Sequence, residues 1–139
     1  MKLALIFLVF SLTTVAQNMP KPVPRLAGVS QTENNGYALI AYEIEITNRD
    51  RFANQLFSAA PDLPPCGRNT ASSRTWINIY DEEGARFYGW CAVRTNGELA
   101  SLRFARPAAN IQPTHVVIEF VDRLTGKITR SDWLPVSQP

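Results

Sequence analysis

One histidine, two cysteines and one run of three carboxylates are the residues of this 139-residue chain whose types could support catalysis, redox exchange or metal binding. His115 sits where a proline-bearing segment enters an apolar stretch, and a hydrolytic unit would have to join it to a carboxylate such as Asp132 or Glu119. No nucleophile elbow occurs, and an ordinary strand-edge histidine accounts for the residue, so the chain reads as noncatalytic, a His115-dependent secreted enzyme being the weakest reading. Cys66 and Cys91 lack the Cys-x-x-Cys spacing of an exchange motif and read as a structural disulfide. The carboxylates Asp81, Glu82 and Glu83 could offer oxygens to Ca²⁺, but they lack the alternating ligands of an EF-hand loop and fit a solvated hairpin turn. One imidazole and no free thiol cannot furnish a Zn²⁺ or Cu²⁺ shell, so neither metal nor cofactor is expected.

Binding chemistry is better represented. Trp76, Tyr80, Tyr88 and Trp90 share an even-numbered register on two consecutive strands, with Arg74, Arg86 and Asn78 beside them. Neighbours on one face of a hairpin meet, so these residues predict an aromatic face able to stack a sugar ring or a peptide and to make arginine–aromatic contacts. The alternate set, Thr75, Ile77, Ile79, Phe87, Cys91 and Val93, is more uniformly apolar, which favours an outward aromatic face. The opposing expectation is that the aromatic face packs beneath the long segment 48–74.

Strands must carry that face. Alternation from Tyr37 to Thr47 places Ile40, Tyr42, Ile44 and Ile46 on one side, and Asn34-Asn35-Gly36 predicts a tight turn back to a partner over Leu26 to Thr32. Trp76 to Tyr80 and Ala85 to Val93 form a second hairpin, followed by strands over Leu99 to Phe104, His115 to Val121 and Ile128 to Leu134. Seven short antiparallel strands without a long helix predict an all-β immunoglobulin- or fibronectin-III-like sandwich, a small β-barrel being the alternative. Between Asn48 and Arg74 lies an unusually long connection. Asp50 is expected to cap a helical turn that docks Phe52, Leu56 and Phe57, and Cys66 to tie the remainder to the strand holding Cys91.

Lys2, the apolar run Leu3 to Phe10 and Thr14-Val15-Ala16 predict a secretory signal peptide over residues 1–16, too short to span a bilayer. Export places the two cysteines where disulfides persist. The Pro20, Pro22 and Pro24 alternation predicts an extended lead-in or stalk over residues 17–25, leaving 26–139 as one domain. Net charge is +2, lowered by one when Lys2 is removed, which argues against a nucleic-acid partner. No Asn-x-Ser/Thr acceptor occurs.

The segments Leu63-Pro64-Pro65-Cys66-Gly67-Arg68-Asn69, Ser73-Arg74-Thr75-Trp76-Ile77-Asn78-Ile79-Tyr80-Asp81 and Tyr88-Gly89-Trp90-Cys91-Ala92, with Gly84 between, resemble a block found in a group of small exported bacterial proteins. The likeness covers about thirty residues and continues more weakly through Leu102-Arg103-Phe104-Ala105 and Asp122-Arg123. It implies an exported β-domain with a cysteine pair and brings no activity, ligand or catalytic residue. The resulting expectation is a secreted module, extracellular or periplasmic, that binds a protein or glycan through Arg74, Trp76, Asn78, Tyr80, Arg86, Tyr88 and Trp90. An envelope-associated structural domain without a ligand site is the alternative.

Overall fold

A computed structural model describes residues 18–68 and 70–137; the expected leader over 1–16 lies outside them. Eight strands form: β1 (Pro24–Asn34), β2 (Tyr37–Ile46), β3 (Thr75–Asp81), β4 (Arg86–Trp90), β5 (Leu102–Pro107), β6 (His115–Asp122), β7 (Ile128–Arg130) and β8 (Leu134–Pro135). They make two antiparallel sheets, β1-β2-β5 and β4-β3-β6-β7, with β8 added to β6. The sheets do not close on each other, so the molecule is a sandwich and the barrel alternative is overturned. Immunoglobulin constant domains place their fourth strand in the sheet of the first two, whereas here β4 stays beside β3.

Alternation along β2 buries Ile40, Tyr42, Ile44 and Ile46, which face Ile77 and Ile79 of β3 and Val116, Ile118 and Phe120 of β6 across one core. Asn35 and Gly36 both take positive φ (51° and 80°), the geometry that closes a two-residue hairpin between β1 and β2. The register shifts between Leu26 and Gly28, leaving Ala27 bulged at the sheet edge.

Four expectations change. The strand expected over Leu99 to Phe104 begins at Leu102, because Asn96–Ala100 is a 3-10 turn started by a Thr95–Glu98 capping box that sends Leu99 into the core. The last expected strand is split: the Ile118 amide donates to the Ser131 hydroxyl, a side chain taking the place of the ladder carbonyl between β7 and β8. Asp50 lies inside the 3-10 turn Arg49–Arg51 and caps nothing. Asn48 precedes that turn, and its amide instead accepts from the Val23 amide and donates to the Lys21 carbonyl. Those bonds explain the fourth change. The proline-bearing lead-in is not a stalk: Met19 and Pro22 are buried, and residues 18–21 run along β7.

The first half of the 48–74 connection is packed into the core. Phe52, Leu56 and Phe57 enter the core, and the Phe52 and Phe57 rings lie 5.0 and 6.4 Å from Phe120. Beyond them, Ala59 and Ser73 bridge, and the Cys66–Cys91 disulfide, with Cα atoms 6.1 Å apart, fastens the loop just past the end of β4.

Candidate functional site

Pairing of β3 with β4 decides which aromatic residues share a surface. Ile77 pairs with Trp90, Asn78 with Gly89 and Ile79 with Tyr88, and then the register shifts so that Tyr80 pairs with Arg86. One bulge exchanges the two faces of a strand. Tyr88 and Trp90 consequently lie on the side of Ile79 and Ile77, where their rings contact the buried Phe104 at 5.4 and 5.9 Å and each other at 5.0 Å. The expected single face of Trp76, Tyr80, Tyr88 and Trp90 is therefore corrected to two groups: Tyr88 and Trp90 at the sandwich edge, Trp76 and Tyr80 on the outer surface of the five-stranded sheet.

Three rows cross that outer surface. The upper row is apolar, Trp76 beside Val121 and Val121 beside Ile128. The lower row sets Arg86 beside Tyr80 and Tyr80 beside Val117. Between them runs a polar row: Arg86 Nε donates to Asn78 Oδ1 (2.8 Å), Asn78 Nδ2 donates to Glu119 Oε1 (3.2 Å), and Arg130 Nε donates to Glu119 Oε2 (2.7 Å). Tyr80 donates its hydroxyl to Glu119 Oε1 (3.1 Å). Glu119 is 3% exposed and accepts three of these bonds, from Asn78, Tyr80 and Arg130, as a buried carboxylate requires. Burial, and then the neighbouring Glu119 carboxylate, push the Tyr80 hydroxyl above its usual range.

Cations cover the rings. The Arg123 guanidinium lies 3.9 Å from the Trp76 ring centroid and that of Arg130 5.6 Å from Tyr80. Arg123 also donates to Ser72 Oγ (2.6 Å) and to the Pro64 carbonyl, which brings the 58–74 loop to the edge of this surface. Gly89 is required locally: a Cβ there would meet the Arg86 Nη2, with Asn78 Oδ1 and the Ile77 carbonyl at 3.0 Å.

Arg74 belongs elsewhere. Its guanidinium grips Asp122 in a two-pronged pair (2.9 and 2.7 Å), with the Leu124 amide and Thr125 hydroxyl donating to the same carboxylate. Burial alone would raise the Asp122 carboxyl, but Arg74, Thr125 and Leu124 together lower it to about 2. Arg74 therefore closes the fold, and of the seven residues the sequence singles out, Trp76, Asn78, Tyr80 and Arg86 form the common surface. Glu119, Arg123 and Arg130 complete it. Glu119, a charge centred in an otherwise apolar strand, was visible as an anomaly; Arg123 and Arg130 become legible only when the β6–β7 hairpin is paired.

The two carboxylates expected to serve His115 are both engaged by other side chains. Glu119 lies four residues along β6, about 13 Å away, and Asp132 pairs with Lys21 at 2.6 Å. The His115 Nδ1 instead lies 3.0 Å from Thr114 Oγ1, which donates to Glu82 Oε1 (3.1 Å). Asp81 Oδ1 accepts from the Glu83 and Ala85 amides and so shapes its own turn. Among the described residues no group of three or more His, Cys, Asp or Glu is arranged to hold a metal ion, and no helix is long and apolar enough to cross a membrane. Comparison of the chain with protein-family models, curated proteins and solved structures gives no match.

Proposed function

We propose that the protein is an exported, noncatalytic interaction module that engages an extracellular or periplasmic protein or glycan through the outer surface of β4-β3-β6-β7. The observation that supports this most is the continuous row Arg86–Asn78–Glu119–Arg130 laid across four strands beside Tyr80 and Trp76. Strand-borne groups fixed by mutual hydrogen bonds lose little freedom on binding. Because Arg123 and Arg130 already cover Trp76 and Tyr80, the surface offers guanidinium edges more than bare rings, and it suits a ligand carrying carboxylate or sulfate groups. One hydrogen bond to Asn78 engages Arg86 Nε, and its two terminal nitrogens point the recognition toward such an anion.

The oxidised chain should be screened against neutral and acidic oligosaccharides and peptides. Acidic members are retained, and Arg86→Ala weakens them about ten-fold, as expected for one charge-assisted contact. Equal affinity of the wild type and Arg86→Ala for every retained ligand, or no retention of either class, would overturn the reading.

The structural alternative has one observation in its favour: Arg123 joins Trp76 to the 58–74 loop and so uses part of the surface internally. Under that reading no ligand is retained and Arg123→Ala changes stability alone.

A further inference from the structure

The edge of the sheet at β7 has a composition that neither packing nor the polar row explains. Leu124, Ile128 and Trp133 are 60%, 53% and 54% exposed and fall within ten residues of one another around this strand. Lys127 and Arg130 are interleaved with them, and Lys21 lies across from Asp132. Asp132 is answered by Lys21 and Glu119 by Arg130, whereas among the described residues the Lys127 ammonium meets only the neutral Asn18 amide oxygen (2.7 Å), so this edge of the described residues is net positive. Exposed branched apolar side chains with a tryptophan and flanking cations are what an anionic lipid interface selects.

A second observation concerns where the chain enters the domain. Asn18 lies against Lys127, the Pro20 carbonyl accepts from Thr129, and Lys21 meets Asp132, so the first described residues run along this same edge. The β1–β2 tip, where Tyr37 is exposed, serves as the comparison surface.

We infer that the β7 edge docks on an anionic lipid surface, with Leu124, Ile128 and Trp133 entering the interface and Lys21 and Lys127 meeting phosphate headgroups. The inference rests on the reading of residues 1–16 as a cleaved export signal that delivers the chain beside a membrane; Ile128 also ends the upper row of the outer surface, and Arg86→Ala separates this docking from the ligand proposed there.

The test uses the oxidised chain from Gln17 onward, which contains every described residue, sedimented with vesicles of phosphatidylcholine alone or with one third phosphatidylglycerol. The expected result is binding to the anionic vesicles only, lowered more than about ten-fold by the paired change Leu124→Ser and Lys127→Ser. Both positions are exposed turn residues, and near-ultraviolet circular dichroism checks that the variant is folded. Tyr37→Ser and Arg86→Ala leave vesicle binding unchanged, the latter separating this result from the ligand screen. No binding to anionic vesicles, equal binding by the paired variant, or an equal loss in Tyr37→Ser would overturn the inference. Retention by immobilised polyglutamate without vesicle binding would overturn it in favour of an acidic protein.

Discussion

The two halves of the 48–74 connection solve one problem by different physics. The first half, to Phe57, has no side-chain cap on either of its 3-10 turns and is held by Phe52, Leu56 and Phe57, all at most 1% exposed. The second half buries little apolar surface beyond Ala60 and is held by polar and covalent ties: the disulfide, Arg94 to Ser73 Oγ and the Ala71 carbonyl, Arg123 to Ser72 and Pro64, and Arg74 to Asp122. Hydrophobic anchors make the first half part of the cooperative core. Cross-links make the second half an ordered rim that can loosen by itself, because it is held by individual polar and covalent ties rather than by shared apolar packing.

The sharpest way to break this contrast is Phe57→Ala, expected to cost about 3–5 kcal/mol of global stability through the cavity it leaves. Chemical denaturation would show it, and a loss below 1 kcal/mol would remove the first half from the core. Replacing both cysteines by serine is expected to cost about 3.5 kcal/mol through the unfolded chain. Hydrogen exchange separates the two halves: the Leu56 amide quickens only by the global loss, while the Ala60, Ser73 and Arg74 amides, bonded to Ser72, Cys91 and Ser58, quicken by more than that. Uniform acceleration along 48–74 would erase the distinction.

A smaller effect comes from pH. The Asp122 carboxyl is lowered from 3.8 to about 2, so its contribution is complete above about pH 5 and is lost as the pH falls through 2. The loss is about 2 kcal/mol, and Asp122→Asn should be less stable at neutral pH and flat across that acidic window. Smallest is Arg123→Ala, expected to cost about 1 kcal/mol while increasing acrylamide quenching of tryptophan as Trp76 loses its cover. Unchanged quenching would show that the loop shields the ring without Arg123.

Those expectations also mark what sequence could reveal. Alternation at Ile40, Tyr42, Ile44 and Ile46, and at Val116, Ile118 and Phe120, exposes the core strands because burial is written in a two-residue period. Docking of Phe52, Leu56 and Phe57 was legible for a similar reason, since three large apolar side chains in six residues need cover. The face shared by Tyr88 and Trp90 was not, since it depends on a bulge set by hydrogen bonds at Asp81 and Ala85 in the turn, and a single inserted residue inverts every later side chain. The arginine ties were hidden too, because Arg74, Arg94 and Arg123 find partners 21 to 59 residues away and no local pattern encodes such pairings. For the lead-in, three prolines specify an extended backbone but not whether Met19 has somewhere to go.

That seat for Met19 bears on the order in which the chain is completed. Three of the bonds that hold residues 18–21 reach 109 to 111 positions forward, to Lys127, Thr129 and Asp132, and one reaches 27 positions to Asn48. During vectorial synthesis or passage through a membrane, the first part of the domain to arrive is thus among the last to be fixed. A chain cut short before Lys127 has the sequence of six strands but keeps only the Asn48 ties of its beginning, so an incomplete product stays open at one seam and is a ready substrate for proteases.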